Sequence, residues 1–557
     1  MKASLSSASS LVGLQLFSRG FTFVLNQALL RLASPQAFGT AAIQFEFILS
    51  TILFLSREGV RNTLLRTWPS PDRPSNINTA ITSSNLATVP IFIGFPIAVA
   101  TASLYSHLAS KDTHNQPHFQ LALVTYALAA IIELCSEPMH NRTIGEHRTG
   151  IRVRAEGLGI AVKSVITYFI LLYDSKQGLS TGRYALQAFA LGQLAYSLLV
   201  FATYTTYLGF PSFWLGRRNQ SAIDPKAGAW HTLVSTYFDA ETLRLSMNMT
   251  YQSIVKHFLT EGDKLIVSWW SPLQDQGGYA VAVNYGSLVA RIIFQPVEET
   301  CRVFFSKTLS STKTSLDGSS SKPQSELDST AIRQASTALI TLLSVQLVFS
   351  LLVVVFGSLY LPIFLHIFLP QRYLSTSAPH VLQVWVWYIP FLAINGGLEA
   401  FFSSVANPED LSRQSRWMVA FSIIYIVSAM TFYNLHLGDT SLVYANIINL
   451  VARICYTSQF ISAYLKRHRG ARELTWWTAM PRWQFILMSM ISLSAIVYNA
   501  RRAGVEEIVA LNGQRALLNP TVVLHVSLGI GLGILCLVTW WATTGKHLFS
   551  ATRSKTA

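Results

Sequence analysis

Apolar segments of about twenty residues recur along the whole chain, and no other feature restricts its fold so strongly. A helix needs roughly 20 mostly apolar residues to cross the hydrocarbon core of a bilayer. Fourteen segments of the 557-residue chain meet this length: 9–31, 36–56, 84–105, 119–139, 155–174, 183–207, 250–271, 277–305, 332–369, 379–406, 414–434, 440–465, 482–500 and 519–543. Because backbone polar groups inside lipid must be paired within a helix or a closed barrel, we predict an all-α, polytopic membrane protein with about fourteen transmembrane helices.

The charge composition agrees with this class. Only 12% of the residues are charged, whereas soluble proteins average about 25%. The net charge of +15 is spread over many short loops, which argues against nucleic acid as a partner and favours loop charge that orients helices. With the N-terminus in the cytosol, 27 of the 42 Lys and Arg residues fall on the cytosolic side and 8 on the opposite side. We therefore predict that both termini are cytosolic.

Two long polar stretches, 209–249 and 307–330, separate consecutive predicted spans. The first contains two prolines and a pair of arginines, and the second is rich in Ser, Lys and Asp, which is typical of a disordered loop. They predict four regions: a six-helix N-terminal lobe at 1–208, a cytosolic linker at 209–249, a six-helix C-terminal lobe at 250–466 with a disordered cytosolic loop at 307–330, and two extra C-terminal helices at 467–557.

Two of the predicted spans contain residues that disturb a regular helix. Pro296 lacks a backbone N–H, so it predicts a kink in the span 277–305. The segment 332–369 is longer than one crossing requires and contains Gly357 and Pro362. It predicts either a broken helix or a helix followed by an interfacial turn.

Sequence motifs for catalysis are missing from the chain. It contains no Gly-rich loop ending in Lys-Ser or Lys-Thr, no HExxH and no GxSxG, which are the patterns of nucleotide hydrolysis, zinc proteolysis and serine hydrolysis. Its four cysteines are far apart and form no CxxC pair, so they indicate neither a metal site nor a disulfide framework. We predict that the protein is not an enzyme and uses no cofactor and no metal.

Charged side chains inside the predicted spans, or at their ends, point to the function instead. A charge at the centre of a bilayer costs about 3 to 15 kcal/mol, so such groups usually face a hydrated or paired interior. Arginine stays charged and offers a planar fork that binds an anion through two hydrogen bonds. The candidates for binding an anionic group are Arg19, Arg57, Arg61, Arg291 and Arg453. The candidates for gating, or for pairing with these arginines, are Glu261, Lys264, Glu298 and Glu399. Salt bridges between helices, for example from Arg291 to Glu298 or Glu299, are the alternative role.

Five motifs of the chain resemble one known family. They are LQLFSRGFTFVLN, FLSREGVRNTL, LTEGDKL, GSLVARIIFQPVEE and INGGLEAFF, and they are similar to the eukaryotic endoplasmic-reticulum translocators of the dolichol-linked oligosaccharide. The resemblance implies membership of the multidrug/oligosaccharidyl-lipid/polysaccharide exporter superfamily. It also implies two six-helix lobes facing a central cavity, and pentamannosyl-chitobiosyl-diphosphodolichol as the substrate.

The leading functional hypothesis follows from this resemblance. The protein would flip the glycolipid from the cytosolic to the lumenal leaflet of the endoplasmic reticulum by alternating access, for protein N-glycosylation. The five arginines would hold the pyrophosphate. Its partners would be the lipid-linked oligosaccharide and membrane lipid, and a monomer is favoured. The alternatives are an accessory protein that binds the glycolipid or organises its assembly enzymes, and an ion-coupled exporter of small cationic drugs.

Overall fold

A computed structural model describes residues 24–69, 77–146, 148–177, 182–217, 235–314, 324–467 and 474–546. Every regular element within these ranges is helical. Eleven helices of the described residues are long and apolar enough to cross a membrane. The prediction of an all-α, polytopic membrane protein is thereby confirmed.

The chain forms two compact units that divide between Ala280 and Val281. We call the described residues 24–280 the N-terminal unit. Its helices are α1 (24–32), α2 (Pro35–Thr67), α3 (Ile77–Leu108), α4 (Phe119–Cys135), α5 (Glu137–Gly145), α6 (Thr149–Lys176), α7 (Ala185–Leu208), α8 (Ala240–Thr260) and α9 (Gly262–Trp270). The division lies within α10 (Leu273–Val289).

Helix α2 lies at the centre of the N-terminal unit. It starts at Pro35, which fits the first turn because a helix has no partner for the N–H there, and the hydroxyl of Ser34 accepts a hydrogen bond from the backbone N–H of Ala37 at 3.2 Å. Phe45 of α2 packs against Phe119 and Tyr126 of α4, with ring centroids 5.9 and 4.9 Å apart. This packing orients the polar end of α2 toward the start of α5.

Residues 281–546 form the C-terminal unit. Its helices are the end of α10, then α11 (Gln295–Thr314), α12 (Gln324–Leu352), α13 (Ser358–Phe368), α14 (Ala378–Val405), α15 (Pro408–Asn434), α16 (Thr440–Arg467), α17 (Trp483–Arg502), α18 (Val505–Asn512) and α19 (Pro520–Trp540). Phe305, Leu343, Phe401 and Ile461 meet in its core. The last helices pack on the same unit, since Phe485 of α17 and Cys536 of α19 are buried against α12.

Both predicted irregular spans continue through π-helical turns. The turn Ala290–Phe294 joins α10 to α11 just before Pro296, and its wider hydrogen bonds run from Gln295 N–H back to the carbonyl of Ala290. The turn Val353–Gly357 joins α12 to α13. The extra residue in each turn accommodates the irregular sequence without ending the helix.

The predicted count of fourteen spans is not confirmed. Most of the predicted span 9–31 lies outside the described residues. The predicted span 250–271 is divided at Glu261 between α8 and α9. Helix α16 is long enough to cross a membrane. Its polar residues, such as Asn446 and Asn449, make it less apolar than the eleven helices counted above.

The predicted division into four regions stays a prediction. The boundary between the compact units falls at 280 because α8 packs along α2 in the N-terminal unit. Of the predicted loop 307–330, α11 includes 307–314 and α12 includes 324–330. Residues 315–323 lie outside the described part of the chain.

Candidate functional site

Two arginines of α2 and two glutamates form a buried ion-pair cluster in the N-terminal unit. The guanidinium of Arg57 donates from one nitrogen to Glu133 at 2.7 Å and to Glu137 at 3.1 Å. Arg61 donates to both carboxylate oxygens of Glu137, at 2.8 and 2.5 Å. We call these four residues the arginine–glutamate cluster.

The spacing of these residues along their helices explains how the cluster forms. Arg57 and Arg61 are four residues apart on α2, so they lie on one face of the helix. Glu133 and Glu137 have the same spacing, because only Ser136 separates the end of α4 from the start of α5. Two matched pairs of opposite charge therefore face each other, one turn apart.

Burial makes this cluster stiff. The side chain of Glu137 is fully buried, while those of Arg57 and Arg61 are 19% and 21% exposed. Removing one member of a buried ion pair typically costs about 3–5 kcal/mol, because its partner is left as an uncompensated charge. The two arginines are thus held by Glu137 but keep one edge open to solvent.

A cavity of about 370 Å³ opens beside the cluster. Arg57, Glu133 and Tyr196 line it, together with Lys163 of α6 and Glu46 of α2. The ammonium of Lys163 lies 4.0 Å from Glu46 and is 32% exposed, so this ion pair is loose. Lys163 is therefore the cation of this cavity that a ligand reaches most easily.

The charges around this cavity nearly cancel. Three cations and four carboxylates lie in the cluster and the cavity wall: Arg57, Arg61, Lys163, Glu46, Glu58, Glu133 and Glu137. A ligand anion can bind here only when a carboxylate withdraws or takes up a proton, since like charges in a low-dielectric site repel strongly.

A second set of ion pairs lies in the C-terminal unit. Arg453 of α16 donates to Glu399 of α14 through two nitrogens, at 3.1 Å from Nε and at a shorter distance from the terminal nitrogen. On α11, Glu298 pairs with Arg302 at 2.8 Å. A carboxylate oxygen of Glu298 lies 3.1 Å from where a Cβ of Gly396 would stand. The small residue of α14 therefore makes room for this carboxylate.

The other predicted site residues lie in separate local arrangements. Arg291, in the π-helical turn, donates to the backbone and side-chain oxygens of Asn284 at 2.9 and 2.8 Å. Glu261 and Lys264 pair with each other at 2.7 Å where α8 gives way to α9. Arg19 lies outside the described residues. The roles predicted for these side chains stay predictions.

The sequence reasoning missed Glu137. This carboxylate lies near the end of the predicted span 119–139 and was not singled out, yet its spacing of four residues from Glu133 matches that of Arg57 and Arg61. That match was the available signal. Lys163 lies inside the predicted span 155–174, but nothing in the sequence places it beside Arg57.

The fold and these buried charges define a class, a polytopic helical membrane protein with the architecture of known transporters. A solved structure described as "Lipid II flippase MurJ, inward closed conformation" aligns with a TM-score of 0.56 at 13% identity, covering 96% of this chain and 99% of that one. A transporter described as an inward-facing multidrug resistance MATE family member of the MOP superfamily aligns with a TM-score of 0.50 at 13% identity, covering 80% and 95%.

Sequence comparison then identifies the family. Residues 3–553 match the Rft-1 family, described as Rft protein, and the chain belongs to it. Three relatives carry the name "Man(5)GlcNAc(2)-PP-dolichol translocation protein RFT1". The one from Yarrowia lipolytica is 33% identical, with 84% of this chain and 71% of the relative covered. The one from Schizosaccharomyces pombe is 32% identical, covering 86% and 85%, and the one from Saccharomyces cerevisiae is 30% identical, covering 83% of each.

Proposed function

We propose that this protein moves the dolichol-pyrophosphate-linked oligosaccharide, with five mannoses and two N-acetylglucosamines, from the cytosolic to the lumenal leaflet of the endoplasmic reticulum. The name shared by its relatives is the observation that carries this proposal. The transporter fold supports it, and so do arginines within membrane-length helices. The product would serve protein N-glycosylation.

The arginine–glutamate cluster is the proposed contact for the pyrophosphate in the N-terminal unit. Arg61 already presents its planar fork to the two oxygens of Glu137, and a phosphate offers two oxygens in similar geometry. Binding would exchange a carboxylate for a phosphate around the same guanidinium groups. Lys163, held loosely at the cavity wall, would add a third cation.

The energies require more than one hydrogen bond to the incoming phosphate. Separating a buried ion pair costs about 3–5 kcal/mol, whereas one hydrogen bond to a charged group contributes about 1.5–3 kcal/mol. At least two such bonds must form before the exchange is favourable. Arg57 and Arg61, four residues apart on α2, supply them together.

In the C-terminal unit, Arg453 would likewise release Glu399 and bind the pyrophosphate. Arg291 is a further proposed contact for the pyrophosphate. The pairs Glu261–Lys264 and Glu298–Arg302 are proposed to break and re-form as the protein alternates between its two open states. Transport would follow mass action or an ion gradient, because the chain contains no nucleotide-binding motif.

Reconstitution of the purified protein tests this proposal. Vesicles containing the labelled glycolipid in both leaflets are treated outside with an enzyme that degrades its glycan. With the protein present, we expect nearly all of the glycolipid to be degraded, and in protein-free vesicles about half. Transfer of the glycolipid without any change in its structure would agree with a non-enzymatic role.

The same vesicles separate transport from an accessory role. If half of the glycolipid stays protected although the protein binds it, the protein is an accessory binding protein and the proposed transport is wrong. A protein that transfers small cationic drugs but not the glycolipid would equally overturn the proposal.

A further inference from the structure

A second cavity of about 710 Å³ lies in the N-terminal unit, outside the arginine–glutamate cluster. It is bounded by the end of α2, the start of α3, helix α5 and the chain after α7. Its size falls within the range of about 300–1,000 Å³ that is usual for ligand sites. The predicted orientation of the chain places it on the cytosolic side.

Glu146, at the end of α5, gives this cavity an unusual acceptor. One of its carboxylate oxygens accepts a hydrogen bond from Nε of Arg142 at 2.7 Å. The other is buried and lies 3.3 Å from Nε of Arg148, but none of the described residues donates a hydrogen bond to it. A buried carboxylate oxygen without a donor favours a ligand that brings a hydroxyl group.

The two arginines add donors around this acceptor. The side chains of Arg142 and Arg148 are 50% and 56% exposed, and a guanidinium has five N–H groups, so most of them remain open to the cavity. A ligand of alternating donors and acceptors, such as a polyhydroxyl chain, satisfies both the arginines and Glu146.

Aromatic side chains complete the wall. Trp68 lies against Gly145, where a Cβ would stand only 2.2 Å from the indole ring, so the backbone of α5 fixes the position of the ring. Phe210 also lines the cavity and is 75% exposed. Aromatic faces beside hydroxyl-binding groups fit the apolar C–H faces of sugar rings, which an amphipathic pocket accommodates.

We infer that this cavity binds sugar residues of the glycolipid's oligosaccharide while Arg57 and Arg61 hold its pyrophosphate. The inference rests on the proposed function. Helix α5 links the two sites, since Glu137 is its first residue and Glu146 follows its last. At 1.5 Å per residue they are about 14 Å apart along the helix, so one extended headgroup reaches both.

Binding of the free oligosaccharide, without lipid or phosphate, tests this inference. The full-length protein in detergent micelles is titrated with the free heptasaccharide and followed by saturation-transfer NMR. We expect Glu146→Gln to weaken binding at least about tenfold, which corresponds to the loss of one hydrogen bond to a charged group. Ser84→Trp, which places a large side chain at an exposed position in the cavity wall, should abolish binding even if Glu146→Gln unfolds.

Two matched controls make the result specific. Glu156→Gln alters a similar exposed pair, Arg152–Glu156, away from the cavity wall, and should change the affinity less than twofold. Arg154→Gln changes an exposed arginine that donates to the hydroxyl of Tyr207 and is not part of the cavity wall, and it should also change the affinity less than twofold. No binding, or binding that Ser84→Trp leaves unchanged, overturns the inference even if transport occurs. Binding that Ser84→Trp removes supports it even if the vesicle assay detects no transport.

Discussion

At the scale of single residues, the carboxylate of Glu137 holds two guanidinium groups in place. It is fully buried and accepts hydrogen bonds from Arg57 and Arg61 at 2.5–3.1 Å. Without the carboxylate of Glu137, Glu133 would be the one carboxylate of the cluster left to balance the charges of Arg57 and Arg61. The free energy of unfolding should therefore depend strongly on this one side chain.

We predict that Glu137→Ala lowers the stability by about 3–5 kcal/mol, the usual result of leaving a buried charge unpaired. Thermal unfolding of the purified protein in detergent measures this change. Glu156→Ala is the matched control, because it removes a carboxylate from an exposed pair at 2.8 Å, and it should cost at most about 0.5 kcal/mol. Equal losses in the two variants would show that the cluster contributes no special stability.

The sequence predicted part of this cluster and missed the rest for a physical reason. Arg57 and Arg61 stand out because they lie four residues apart at the cytosolic end of the predicted span 36–56. Their partners lie 76 and 80 residues away, and no local pattern reports which distant carboxylate approaches them. The pairing is a property of tertiary packing, so only the structure reveals it.

At the scale of helices, close backbone contact joins α2 to α8. A Cβ at Gly59 would lie 2.0 Å from the hydroxyl oxygen and 2.5 Å from the Cα of Thr250. Only glycine permits this approach, as in other membrane helix pairs where small residues lie at the interface. This contact positions α8, and with it the Glu261–Lys264 pair.

Substitution of Gly59 should therefore separate the two helices. We predict that Gly59→Ala destabilises the protein by about 1–3 kcal/mol, the typical cost of overpacking. The control is Gly157→Ala in α6, where a Cβ meets nothing within 4 Å, and there the better helix propensity of alanine should stabilise by up to about 1 kcal/mol. Unfolding in denaturant measures the stability of the two variants. If Gly59→Ala stabilised the protein, that result would contradict the close contact between α2 and α8.

The bounds of a helix were predictable where its hydrophobic length alone determines them. They were less predictable where local backbone hydrogen bonding determines how the helix bends or ends. The apolar length of α4 and α14 predicts them within a few residues. The π-helical turn before Pro296 was expected as a kink, because the sequence shows the missing N–H but not how the neighbouring residues rearrange. The division at Glu261 was missed, since the residues on both sides are apolar enough to continue a span.

At the scale of the whole molecule, the distribution of basic residues predicts which loops face the cytosol. The prediction places Glu409, in the first turn of α15, on the cytosolic side and Asp112, between α3 and α4, on the lumenal side. Both residues are exposed. Their chemical accessibility therefore reports the orientation of the chain.

Single cysteines at these positions test the orientation in a protein without its four natural cysteines. In sealed vesicles with the cytosolic face outward, a membrane-impermeant thiol reagent should label Glu409→Cys at once. Asp112→Cys should react only after detergent opens the vesicles. The reverse pattern would invert the topology and place the sugar cavity on the lumenal side.

The most direct test of the account is the rate at which purified protein transfers the glycolipid when Arg57 is changed. Arg154→Gln is the matched control, because this exposed arginine is not part of the arginine–glutamate cluster and donates to the hydroxyl of Tyr207 at 3.1 Å. We predict that Arg57→Gln slows transfer at least about tenfold, the loss of one or more hydrogen bonds to a charged group, while Arg154→Gln stays within about twofold of the unaltered protein. Transfer by Arg57→Gln at the unaltered rate would contradict the central claim.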